Sequence, residues 1–201
     1  MSRTDATIGP TDHGRRMSLF DFEQAEAASG QSFELSRGTV TRIDVPNRRH
    51  LAQVNALRRQ IHACDAANPG RIHTIAGGGE CKIVVAALES ERHPDLAIYK
   101  TPPPADKDFW ATWVPEIVVE VVSPGAEHRD YVEKREEYLA FGSLEYWVLD
   151  AQRREMLALR RARGQWTERV VSPSEKYTTR LLPGVEFDCE AVFAAADAVE
   201  R

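Results

Sequence analysis

Two carboxylates and a lysine occur in unusually apolar surroundings in the middle of this sequence. Asp95 follows Pro94 and opens an apolar run, Glu120 interrupts the β-branched run of residues 117–122, and Lys134 lies in the next predicted helix. A purely structural chain rarely places acids in such runs, because burying an unpaired carboxylate costs several kcal/mol. A magnesium-dependent phosphodiesterase needs these groups: acids that bind the cation and an ammonium that orients water or neutralises developing charge.

Each of these residues also has a structural interpretation. Asp95 could be an ordinary turn residue after its proline. Lys134 belongs to the charged run of residues 133–137, and such runs usually form the solvated face of a helix. Glu120 is harder to explain in this way, because valine and isoleucine surround it.

The elements around these residues predict a mixed β-sheet with helices packed on it, an α/β (α+β) fold. The predicted elements are a hairpin over residues 32–43, an amphipathic helix over 47–64, a central strand over 117–122, a helix over 129–141 and a strand over 145–150. Asp95 opens one strand, and Glu120 lies near the end of the next long one. If those strands pair, the two carboxylates can converge on one cation.

Two further segments have more than one interpretation. Residues 71–76 and 81–87 are strand-like and are separated by the triplet of residues 77–79, which is all glycine. The triplet lacks the Lys-Ser/Thr pair and the helix start of a phosphate-binding loop, so a hairpin turn is predicted. Trp110 and Trp113 lie in a polar loop, where they could stack on bases or pack in the core or a dimer contact.

Composition limits the class of protein. The 201 residues carry 26 basic and 31 acidic side chains, a net charge of −5, which argues against a protein that coats nucleic acid but not against a nuclease. The sequence contains no apolar run of about 18 residues, which predicts that no helix spans a membrane. Three widely separated cysteines and a polar N-terminus predict a cytoplasmic protein, with a disordered leader over residues 1–16 and one domain over residues 17–201.

Several ordered motifs carry a family resemblance. They are Pro94-Asp95-Leu96, then Val119 to Pro124 with the sequence VEVVSP, then Lys134 with Tyr138, and then Glu145 to Asp150 with the sequence EYWVLD. With this set, the chain resembles the PD-(D/E)xK nuclease superfamily and, within it, the Uma2 family of restriction endonucleases, from about residue 19 to residue 192. The resemblance implies a restriction-endonuclease-like core.

The resemblance also implies roles for individual residues. Asp95 and Glu120 would bind Mg²⁺ or Mn²⁺, with the backbone carbonyl of Val121 as a third ligand. The lysine of the superfamily's E-x-K pattern should stand at position 122, where this chain has Val122. Its role is then expected to pass to Lys134 in the following helix. Glu34 matches an acid near the N-terminus of the family and could be a further ligand or a group that positions water.

Three functions are open at this point. The first is a Mg²⁺-dependent endonuclease that hydrolyses DNA. The second is a catalytically inactive binding or assembly module of the same fold, and the third is a hydrolase of small phosphorylated substrates. Site-specific cleavage would require a homodimer or a partner, and Tyr146 and Trp147 could line a dimer interface.

Overall fold

The structure is a computed structural model that describes residues 6–199. Within that range the helices are α1 (Leu19–Gln24), α2 (Arg48–Ala67), α3 (Lys134–Phe141) and α4 (Cys189–Ala198). The strands are β1 (Thr7–Ile8), β2 (Glu26–Ala27), β3 (Ser32–Ser36), β4 (Thr39–Ile43), β5 (Thr74–Ala76), β6 (Ile83–Val85), β7 (Ser90–Arg92), β8 (Leu96–Tyr99), β9 (Ile117–Val121), β10 (Glu145–Asp150), β11 (Glu155–Ala162), β12 (Gln165–Val171), β13 (Lys176–Tyr177) and β14 (Phe187–Asp188).

The main sheet has the strand order β12-β11-β10-β9-β8-β5. It is mixed, since β9 pairs in parallel with β10 and antiparallel with β8. All five residues of β9 are buried, as expected for a strand with neighbours on both sides and cover on both faces. The predictions of a mixed sheet flanked by helices and of β9 as its central strand are confirmed.

The two faces of the main sheet pack against different helices. Val119 and Val121 point into a core shared with α2 and α4, which contribute Leu57 and Phe193 among other side chains. Val118 points to the opposite face, into a core shared with α3. Successive side chains alternate between faces, so Glu120 lies on the same face as Val118, under α3.

A second sheet, with the order β4-β3-β7-β6, lies next to α3. The predicted hairpin is confirmed as β3 and β4, whose turn residues Arg37 and Gly38 both have positive φ. Helix α2 is confirmed as well, and it begins after Asn47, whose side chain accepts a hydrogen bond from the His50 amide. Both elements follow from periodicity within one stretch of chain.

The hairpin predicted around the glycine triplet is wrong. Strand β5 pairs with β8 in the main sheet, whereas β6 pairs with β7 in the second sheet. The triplet crosses between the two sheets and passes close to the main chain before β8. A Cβ at Gly77 would lie 2.2 Å from the Asp95 carbonyl oxygen, and the Gly78 amide donates to the Pro94 carbonyl. Glycine is therefore required for close approach.

The leader and the expected dimer residues also differ from prediction. Residues 1–5 of the predicted disordered leader lie outside the described residues, but residues 6–16 are ordered, because β1 pairs with β2 and Ile8 is buried in a cluster with Phe22. Tyr146 and Trp147 are fully buried in the two cores of the main sheet, so their assignment to a dimer interface is wrong.

Within residues 6–199, no helix is long and apolar enough to cross a membrane.

Candidate functional site

A cavity of about 470 Å³ opens at the end of β9, between the main sheet and the second sheet. All the site residues that the sequence predicts line this cavity, namely Glu34, Asp95, Glu120, Val121 and Lys134. They come from β3, from the residue before β8, from β9 and from the first residue of α3. The tertiary structure therefore brings together residues that are up to 100 positions apart in sequence.

The register of the main sheet aligns the two central acids. Leu96 pairs with Val119 in the antiparallel ladder of β8 and β9, and one further step places Asp95 opposite Glu120. Residues directly opposite each other in an antiparallel pair project from the same face, with Cβ atoms about 5 Å apart. The expectation that the two strands pair is confirmed.

Asp95 is held by two partners of different kinds. Its Oδ2 accepts a hydrogen bond of 2.8 Å from the Val121 amide, which ties it to the end of β9. Its Oδ1 lies 2.9 Å from Nε2 of His50 in the first turn of α2. Since a carboxylate only accepts, Nε2 is the donor in this pair. Asp95 is thus an oriented side chain and not a free turn residue.

Glu120 is buried and also has two partners. Its Oε1 accepts a hydrogen bond of 2.5 Å from the Tyr138 hydroxyl, and its Oε2 lies 2.8 Å from Nζ of Lys134. Burial raises its pKa, and the charges of Asp95 and Asp130 raise it further, while Lys134 lowers it; the net effect raises the pKa of Glu120 to about 7. Burial and the neighbouring acids together therefore outweigh the stabilisation that Lys134 gives to the charged form of Glu120.

Lys134 reaches the cavity from the first residue of α3. Its side chain is only 4% exposed, which rules out the interpretation as a solvated helix face, and its Nζ bridges Glu120 and Asp130 at 2.8 and 3.1 Å. Burial lowers its pKa, but Asp130, Glu120 and Glu34 outweigh this effect and raise it above the ordinary value. The ammonium therefore stays protonated, because it faces several acids.

The helix that carries Lys134 is not regular at its start. Residues Arg129–Glu133 form a π-helical turn directly before α3. Such turns widen the helix by one residue and are frequent at functional sites. Asp130 lies within this turn and pairs with Lys134, the first residue of α3, so the predicted helix over residues 129–141 is confirmed with a local irregularity at the site.

Glu34 belongs to a buried ion network behind the cavity. Its Oε2 lies 3.2 Å from Nη1 of Arg92, and its Oε1 accepts a hydrogen bond of 2.9 Å from the His93 amide. Arg92 is fully buried and also binds Glu137 of α3 at 2.6 Å. Burial raises the pKa of Glu34, but Lys134 and Arg92 outweigh it and lower that pKa to about 2. This network joins the second sheet to α3.

Three further polar groups line the cavity, His50, Ser123 and Asp130, and none of them is among the site residues predicted from the sequence. His50 links Asp95 to Ser123, whose Oγ lies 3.1 Å from Nδ1. Burial lowers the pKa of His50, and the carboxylates of Asp95 and Glu120 more than compensate, so that it is raised. Asp130 could have been found from its spacing of four residues before Lys134 on a helix. Ser123 belongs to the VEVVSP motif, but nothing in that motif distinguishes its hydroxyl as a partner of His50.

The donor set is suited to a hard divalent cation. Asp95 and Glu120 present oxygen atoms to the cavity, and each of these oxygens can accept more than the one partner it has. Asp130 also lines the cavity, and its buried Oδ1 forms an ion pair of 3.1 Å with Nζ of Lys134. Among residues 6–199, no group of three or more His, Cys, Asp or Glu forms a ready metal site. Two protein carboxylates completed by water or substrate oxygens are nevertheless a usual way of binding Mg²⁺.

The two tryptophans of the loop before β9 lie away from this chemistry. Trp113 is buried and stacks on Tyr99 with ring centroids 3.9 Å apart. Trp110 is partly buried and packs beside Trp113 and Phe109. These contacts support the interpretation as core packing for Trp113.

Comparisons with known proteins identify the family and the fold. A model of the family described as "Uma2: Putative restriction endonuclease" matches residues 19–191. The fold is similar to the crystal structure of a "putative nuclease belonging to DUF820" from Anabaena variabilis, with a TM-score of 0.71, 15% sequence identity, and coverage of 90% of this chain and 99% of that one. No curated protein matches the sequence. At this identity the structural likeness shows the fold alone.

Proposed function

The chain belongs to the Uma2 family, whose description is putative restriction endonuclease, and we propose that it is a Mg²⁺-dependent endonuclease that hydrolyses DNA phosphodiester bonds in the cavity at the end of β9. One observation carries the proposal. Nζ of Lys134 lies 2.8 Å from Oε2 of Glu120, beside Asp95, which directly precedes the paired strand β8, although position 122 holds valine in place of the expected lysine.

The cation would be held by Asp95, Glu120 and the carbonyl oxygen of Val121. When bound, Mg²⁺ or Mn²⁺ supplies Lewis-acid activation of water and stabilises negative charge on the phosphate. The raised pKa of Glu120 supports this assignment, because a buried acid among other acids gains most from a nearby cation. Oxygen-only ligands favour these two metals over zinc.

Lys134 would act through charge and hydrogen bonding. Its pKa is raised, so at neutral pH it cannot take a proton from the attacking water. Two of its three N–H groups point to Glu120 and Asp130, and the third remains for a water or a phosphate oxygen. We assign Lys134 to orienting the nucleophile and stabilising the charge of the transition state.

Glu34 would assist at this site without binding the metal. Each of its oxygens already has one partner, Arg92 or the His93 amide. This arrangement favours the role of a water-positioning group over that of a metal ligand. A homodimer and a cytoplasmic location stay predictions, and light scattering of the purified protein tests the first.

Plasmid nicking tests the proposal. The wild type should nick supercoiled DNA with Mg²⁺ or Mn²⁺ and not with EDTA, and Glu120→Gln and Asp95→Asn should each lower the rate by at least about 100-fold. Glu186→Gln, at an exposed acid, is the matched control and should keep the wild-type rate. Thermal melts show whether the variants are folded.

The failure of this experiment is also informative. If the wild type cleaves neither double-stranded DNA, single-stranded DNA nor RNA with either metal, the proposed activity is wrong. Calorimetric titration with Mn²⁺ then identifies what remains. Binding that Asp95→Asn abolishes would leave a metal site without nuclease activity, and no binding would favour the inactive module of the same fold.

A further inference from the structure

Arg129 is a cavity residue that the proposed reaction leaves unused. It is the first residue of the π-helical turn before α3 and lines the cavity together with Asp130 and Lys134. Its side chain is 31% exposed and lines the cavity, so part of it is accessible to a ligand there. It therefore lies where a substrate in that cavity would pass.

The guanidinium of Arg129 has donors without acceptors. Its Nε is buried and has no hydrogen-bond partner within the described residues, and Asp130 Oδ1 lies 3.7 Å from it, beyond hydrogen-bond distance. The lysine and the other arginine on the cavity wall have carboxylate partners: Lys134 has Glu120, and Arg42 has Asp44 at 3.2 Å. A buried N–H group without an acceptor is unfavourable, so the guanidinium would gain from an anion or a water that reaches it from the cavity.

The surrounding acids stabilise the positive charge of Arg129 without accepting the hydrogen bond of its Nε. Burial lowers the pKa of Arg129, but Asp130, Glu34 and Glu120 outweigh that effect and raise it. Glu34 and Glu120 are themselves paired with Arg92 and Lys134. Arg129 is thus a fully charged group that electrostatics fixes near the acids, while its directional hydrogen bonds remain available.

We propose that Arg129 binds non-bridging oxygens of a backbone phosphate of the DNA, next to the bond that is cleaved. The proposal rests on the proposed function, since it assigns the substrate phosphate to this cavity. A guanidinium has a planar fork of donors that matches two phosphate oxygens, and charge-assisted bonds of this kind are among the strongest in proteins. Contacts to phosphate fix the position of the duplex but carry no sequence information.

Binding measured without turnover tests the proposal. A fluorescein-labelled duplex is titrated with protein in EDTA, and anisotropy gives Kd over a series of salt concentrations. Arg129→Gln should raise Kd about 10-fold and reduce the slope of log K against log salt by about 0.9, the value expected when one phosphate is no longer neutralised. Arg129→Lys should keep the slope but bind several-fold more weakly, because a point charge lacks the fork.

Arg59→Gln is the matched control. Arg59 is exposed on α2, nine residues after His50, and therefore about 13 Å along the helix and on its opposite side. The Arg59→Gln substitution removes the same charge as Arg129→Gln. An equal loss of affinity in the two variants would therefore mean that net charge alone governs binding. A thermal melt of each variant accompanies the titrations. If Arg129→Gln does not fold, the comparison of Arg129→Lys with the wild type tests the proposal instead.

The outcomes separate this proposal from the nuclease activity. If the wild type binds but does not nick DNA, and Arg129→Gln binds more weakly, the phosphate contact stands and the nuclease proposal fails. If Arg129 is only a counter-ion for its acidic neighbours, Arg129→Gln lowers the melting temperature and leaves both Kd and the salt slope unchanged. That result, or a wild type that binds no duplex at low salt, overturns the proposal.

Discussion

Replacing Lys134 by Met removes the ammonium between Glu120 and Asp130 and keeps most of the volume of the side chain. Nζ lies 2.8 Å from Glu120 and 3.1 Å from Asp130, and all three side chains are buried. Breaking a buried ion pair by removing one partner costs about 3–5 kcal/mol, because the remaining charge has lost its compensation. We expect Lys134→Met to lower the free energy of unfolding by that amount at pH 8 in metal-free buffer.

The size of this loss should depend on pH. The pKa of Glu120 in the folded protein is about 7, above the value of about 4.3 for an unfolded chain. The folded state therefore binds an extra proton, and the resulting stability is full below the unfolded pKa and lost as pH rises through 7. Without Lys134 that pKa rises further. One extra bound proton changes the free energy of unfolding by about 1.4 kcal/mol per pH unit. From pH 6 to pH 8 the free energy of unfolding of the variant therefore falls by about 2.7 kcal/mol, and that of the wild type by about half as much.

Urea unfolding at pH 6, 7 and 8 with EDTA and constant ionic strength measures both effects. The difference between Lys134→Met and wild type should grow by about 1.4 kcal/mol from pH 6 to pH 8. Lys107→Met, at an exposed lysine, should change stability by less than about 0.5 kcal/mol at every pH. A Lys134 variant as stable as wild type at pH 8, or a loss independent of pH, would refute the reasoning.

Two other predictions follow from the contacts of the site. The pKa of Glu34 is lowered to about 2, so its contribution to stability is present above the unfolded pKa and is lost as pH falls from about 5 to 2. In urea unfolding over that pH range, Glu34→Gln should lose less unfolding free energy than the wild type, by up to about 3 kcal/mol. Equal losses of unfolding free energy in the two proteins would contradict this prediction. His50→Ala removes the hydrogen bond that orients Asp95 Oδ1 and should weaken Mn²⁺ binding by about 10-fold in calorimetry. The control for that titration is the exposed His62→Ala on the same helix, and an unchanged Kd in His50→Ala would exclude the orienting role.

Much of the local structure was predictable because its signals are contained in short stretches of chain. The alternation around Gly38 predicted β3 and β4, and the spacing of apolar residues after Asn47 predicted α2. The apolar run of residues 117–122 correctly indicated a central, doubly covered strand. The acids could be singled out because a carboxylate inside such a run is costly.

The errors concern contacts between segments that are distant in sequence. Gly77 begins a crossing between two sheets and not a hairpin, because β5 and β6 find different partners. Trp147 is a core residue and not an interface residue, since α4 and the segment around Tyr177 cover its face of the sheet. Aromatic residues on a strand look the same in sequence whether a helix or a second subunit covers them.

The sequence by itself determined which groups are available: Asp95 before one strand, Glu120 inside the next, and Lys134 in the following helix. The tertiary structure decided what those groups do to one another. Strand register places the two acids side by side, and the packing of α3 on the sheet seals Lys134 against Glu120. Burial and charge at that contact set the pKa values of both groups. Those energies depend on distances and solvent exclusion, which exist only once remote segments are packed together.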